Sequence, residues 1–68
     1  MKYNPAQFVI DLFGGMRPLA RQLELDPAAV LYWRDQGRIP RWHHDRILTV
    51  AKRLQISLSR EQLGERYK

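Results

Sequence analysis

Sixty-eight residues, a formal net charge of +5 and no cysteine describe one small domain that buries only about 60% of the surface its unfolded chain exposes. Disulfide staples and thiolate zinc sites are excluded. Twelve Lys and Arg against seven Asp and Glu favour a polyanionic partner, with an ordinary charged surface as the alternative. No apolar run is long enough to span a membrane, and the opening MKYNPAQ lacks a signal-peptide layout, so a cytoplasmic protein with no membrane contact is expected.

Asn4-Pro5-Ala6-Gln7 reads as a helix start, with Asn4 as cap, Pro5 where no N–H is needed and Gln7 placed to reach back. The first helix runs to about Phe13, with Phe8, Val9, Leu12 and Phe13 sharing a face, and Gly14-Gly15 ends it. A second helix covers roughly 16–24, with Pro18 tolerated in its first turn. After the break Glu24-Leu25-Asp26-Pro27, a third covers roughly 27–36. Asp26 caps it, Pro27 opens it and Gly37 stops it.

Leu19, Ala20 and Leu23 face Val30 and Trp33 at helical spacing, and small Ala20 allows close approach. The stretch from about 16 to 36 is therefore a helix-turn-helix pattern. Ile39-Pro40 forces an extended residue and then permits a fourth helix from about 40 to 54. Trp42, Ile47, Leu48, Val50, Ala51 and Leu54 form its core-facing stripe. Gln55 to Leu58 is a connector, and Ser59 with Gln62 makes a capping box for a short fifth helix over about 60–66. Its Leu63 and Tyr67 dock on the core or on another subunit. No repeat or convincing strand signal interrupts the helices.

Phe13-Gly14-Gly15, Leu19-Ala20, Leu23, Val30, Trp33 and Gly37-Arg38-Ile39-Pro40, in this order and spacing, resemble the helix-turn-helix of phage Cro and repressor proteins and of related antitoxin-like regulators. The resemblance extends more loosely over residues 4–54. It implies an all-α, compact, four- to five-helix λ-repressor-like helix-turn-helix domain occupying 1–68. It also implies a Cro-like phage or prophage repressor of transcription. The family usually places Gly in the turn; here Glu24 stands where positive φ is wanted, so a strained or differently shaped turn is expected.

In such an arrangement the N-terminal part of the third helix enters the major groove. With Ala29, Val30 and Trp33 assigned to the core, Pro27, Ala28, Leu31 and Tyr32 are the candidates for base contacts. Arg17 is the cation best placed to reach a guanine. Met16 at the start of the second helix, with Arg21, Arg34, Arg38, Arg41, His43 and His44, are candidates for phosphate contacts. Local ion pairing, such as Arg38 with Asp45, is the competing reading of the arginines. Burial of Leu31 and Tyr32 against the fourth helix or another subunit is the competing reading of the outward face.

Trp33 and Trp42 suggest stacking on single strands, but their spacing favours the core. His43 and His44 diverge by about 100° on a helix and lack a third ligand, so no metal site is expected. Ser57 and Ser59 look like caps without a histidine partner, and there is no phosphate-cradling glycine loop, so neither catalysis nor a cofactor nor a small-molecule ligand is expected. The expected partners are a double-stranded DNA operator and a second copy of the chain, with residues 55–68 as a possible dimer contact. An antitoxin-like regulator that also binds a protein, and an interaction module that binds no DNA, are the alternatives.

Overall fold

The computed structural model describes residues 2–65. Four α-helices follow in order: α1 Pro5–Leu12, α2 Met16–Leu23, α3 Pro27–Gln36 and α4 His44–Arg53. A 3-10 turn at Arg41–His43 leads into α4, and another at Glu61–Leu63 follows it. The described residues contain no strand, and none of their helices is long and apolar enough to cross a membrane.

Each helix starts and stops for a local reason. The Asn4 side chain accepts from the Gln7 N–H at 3.1 Å, and Asp26 accepts from the Ala28 N–H at 2.9 Å, with proline in the first turn of both helices. All four helices end in paired backbone bonds that reach back across the last turn. At α2 these are Leu25 N–H to Ala20 O at 2.9 Å and Glu24 N–H to Arg21 O at 3.2 Å. This closure needs a left-handed residue. Gly37 supplies it for α3 with φ of 75°, whereas Glu24 adopts φ 57° for α2 and Gln55 φ 61° for the end of α4. The turn expected to suffer from its glutamate thus keeps the left-handed conformation, at the steric cost of a Cβ there.

The core is built from Ala6, Val9 and Ile10 of α1, Leu19, Ala20 and Leu23 of α2, Val30 and Trp33 of α3, and Ile47 and Val50 of α4. Ile39 and Leu63 close it from the connecting segments. In α1 the buried face includes Ala6 and Ile10, while Leu12 turns outward. Ala29 is only half-buried.

Two further expectations are corrected. The fourth helix begins at His44 instead of Pro40, because the residues after the proline wind as a 3-10 turn of about three residues per turn. Trp42, five residues before Ile47, lies off the buried stripe and is 80% exposed, and Leu54 is 41% exposed. The capping box of Ser59 and Gln62 forms in both directions, yet the helix it opens stops at Leu63, where Gly64 turns left-handed. Leu63 is buried in the protomer's own core. It therefore offers nothing to a dimer contact in the 55–68 segment, and Tyr67 lies outside the described residues.

Candidate nucleic-acid interface

α2 and α3 are joined by the three residues Glu24, Leu25 and Asp26. Leu19, Ala20, Leu23, Val30 and Trp33 are all buried, so the two helices meet through the residues that sequence spacing assigned. The opposite face of α3 is open. Pro27 and Ala28 are exposed, Leu31 is 36% exposed and Tyr32 63% exposed. Asn4, besides capping α1, donates from its side-chain nitrogen to the Arg34 carbonyl at 3.0 Å. That carbonyl also accepts from the Gly37 N–H at 3.2 Å, so the Asn4 bond adds a second donor and ties the end of α3 to the start of α1.

Arg17 and Arg21 stand one turn apart on α2, both exposed. With Ala20, Leu25 and Pro27 they line a shallow groove of about 260 Å³ against the first residue of α3. Arg38 and Arg41 flank the other end of α3, where they border a second cleft with Tyr32 and Trp42. Among the described residues Arg17, Arg21 and Arg38 have no carboxylate within ion-pair distance. The Arg38–Asp45 pair does not form; Asp45 pairs with Arg60 instead. Arg41 lies 3.8 Å from Glu65 with its side chain 83% exposed. Arg34 is half-buried and 3.9 Å from Asp35, which leaves it less available than its neighbours.

Two phosphate candidates need correction, and a third acts through its backbone. His44 is 4% exposed, with Nδ1 at 2.6 Å from Glu65 Oε2 and Nε2 at 3.0 Å from the Ile39 carbonyl oxygen. Both ring nitrogens are occupied, and the residue pins the C-terminal segment to the start of α4 instead of meeting an anion. His43 has its ring between Trp33 and Trp42, at centroid distances of 4.8 and 5.8 Å. Burial, then the charges of Arg46 and His44, push its pKa below the ordinary 6.5, which disfavours the protonated form that would attract a phosphate. Met16 packs its side chain against the core. What it offers an anion is a backbone N–H at the start of α2, where Gly15 provides no side-chain cap.

The exposure of Trp42 was legible in helical periodicity: it stands five residues before Ile47, about 140° around a helix and away from the buried stripe, whereas His44 falls in phase with Ile47 and Ala51. Comparison with protein-family models, curated proteins and solved structures returns no match.

Proposed function

We propose that the chain is a sequence-specific double-stranded DNA-binding regulator of transcription, built on a λ-repressor-like helix-turn-helix and acting as a Cro-like phage or prophage repressor. One observation carries this reading. The exposed face of α3 is bracketed by Arg17 and Arg21 at its N-terminal end and by Arg38 and Arg41 at its C-terminal end, three of the four without a carboxylate partner among the described residues. Arginines left without a carboxylate on both sides of an open helix suit the two phosphate strands that flank a major groove.

Pro27, Ala28, Leu31 and Tyr32 face the bases in this arrangement. Thymine methyls suit Ala28 and Leu31, the Tyr32 hydroxyl donates or accepts, and Arg17 reaches a guanine. A single copy reaches few bases, so two copies bind half-sites roughly 34 Å apart on one face of a pseudo-palindromic operator. Occupancy of that operator excludes polymerase sterically.

Titration of duplex DNA against salt tests the reading. Arg21→Ala and Arg38→Ala each weaken binding to random duplex and reduce the salt slope by about one unit per lost phosphate contact. Unchanged slopes for both refute it. The apolar exposure of Leu31 and Tyr32 also suits the antitoxin-like alternative, in which this face docks a protein. Tyr32→Ala relaxes operator preference in the first case; in the second it leaves preference intact and abolishes a protein complex.

A further inference from the structure

We infer that the cleft between Tyr32 and Trp42 is a binding site for an unpaired nucleobase and its phosphate. The inference rests on the positive surface being a nucleic-acid surface, but not on duplex recognition by α3.

Trp42, 80% exposed, touches the protein through one ring: His43 lies tilted beside it at 5.8 Å between centroids, and His43 in turn lies tilted against the buried Trp33 at 4.8 Å, so most of the indole surface is free to take a ligand. Tyr32, 63% exposed, lines the same cleft, which has a volume of about 390 Å³. That lies at the small end of the range for ligand sites, suited to one nucleotide and too small for a docked helix.

The lining settles the chemistry of the occupant. It contains Arg38 and Arg41, with Gln36 and the two aromatic walls, and no carboxylate. Aromatic walls supply stacking for a flat ring, guanidinium groups supply phosphate contacts and stacking of their own, and the Gln36 amide can pair with a base edge. Every residue of a nucleic-acid strand carries a flat ring and a phosphate and so engages both features, whereas an acidic peptide does so only where an aromatic residue stands beside a carboxylate. A second copy of a chain with net charge +5 would bring like charge to two arginines. Bases inside a duplex are already stacked on both faces, so the base that enters is unpaired, at a strand end, in a single strand or extruded.

The test uses the full chain with a short oligothymidylate and, for comparison, an abasic strand of the same length, which keeps the phosphates and removes the bases. Oligothymidylate is expected to quench the emission of Trp42 and to bind more tightly than the abasic strand. Base stacking of about 1–3 kcal/mol corresponds to a loss of roughly 5- to 150-fold for Trp42→Ala, with Trp42→Phe in between and abasic affinity unchanged. Absence of quenching, equal affinity for the two strands, or a Trp42→Ala variant that binds oligothymidylate like the parent each overturns the proposal. The comparison of strands is made on the unaltered protein, so it holds even if a variant folds poorly. Duplex titration of the same proteins separates the two readings. Lost duplex binding with Trp42-dependent oligothymidylate binding removes operator recognition alone, and the converse removes the cleft alone.

Discussion

Replacement of Trp33 by alanine removes the side chain that joins α3 to the exit turn and the core. The residue is 4% exposed and its ring lies 4.8 Å from that of His43. Burial of an indole takes on the order of 200 Å² from water, which at about 25 cal/mol/Å² amounts to roughly 5 kcal/mol. Measured truncations of buried aromatics cost about 3–5 kcal/mol, including the cavity left behind. A domain of this length holds only about 3–10 kcal/mol in total. At about 4–8 °C per kcal/mol for a domain of this size, Trp33→Ala lowers the melting midpoint by at least about 12 °C or leaves no cooperative transition. Far-ultraviolet circular dichroism, with urea unfolding as a second probe, reads the effect. Trp42→Ala is the matched control. At 80% exposure it changes stability by no more than about 0.5 kcal/mol. If Trp33→Ala melts within a few degrees of the parent, or the two variants lose equal stability, the assignment of one tryptophan to the core and the other to the surface is wrong.

Glu24→Gly removes a left-handed Cβ worth about 1–2 kcal/mol, against the exposed Glu24–Arg46 pair at 3.3 Å, worth about 0–1 kcal/mol, and glycine's greater unfolded-state entropy. A net gain of about 0.5 kcal/mol is expected, and Gln55→Gly gives at least as much with no ion pair to lose; melting points that fall for both would dismiss backbone strain at these caps. Stability also falls toward acid pH, by two routes with the same sign. The hydrogen bond from His44, then the charges of His44, Arg60 and Arg41, hold the Glu65 carboxyl below its usual pKa despite partial burial. Its contribution is complete above the unfolded carboxylate pKa and lost as pH drops through the depressed one. His43, pushed below 6.5, takes its proton in the unfolded chain first, so stability also declines as pH drops below that value. A melting midpoint that is flat from neutral pH to about pH 5 contradicts the His43 limb, one that stays flat from there to about pH 2 contradicts the Glu65 limb, and Glu65→Gln removes only the more acidic of the two.

The two-helix unit was legible because its signals are local and agree with one another. Asp26-Pro27 and Gly37 mark the ends of α3, and Leu19, Ala20, Leu23, Val30 and Trp33 repeat at the spacing of buried helix faces; all five are buried. The exposure of Pro27, Ala28, Leu31 and Tyr32 followed by subtraction from that face. The phosphate candidates were less legible. Charge alone does not say which arginines are neutralised, and pairs such as Arg46–Glu24 and Arg60–Asp45 join residues 22 and 15 positions apart.

The sequence by itself determined an all-helical chain, the starts of α1 and α3, and the pairing of α2 with α3, because caps, proline positions and apolar spacing act within a few residues. Tertiary structure decided the fate of residues whose neighbours are distant. Asn4 caps its own helix and also holds the end of α3 at Arg34. Helix phase alone puts His44 on the face of Ile47 and Ala51 and Trp42 off it, but packing supplies what the imidazole needs to be buried there, Ile39 on one side and Glu65 on the other, and leaves the indole outside. Both ring nitrogens of that histidine needed partners before it could be buried. Those partners come from segments 5 residues before it and 21 after it, which only packing brings together.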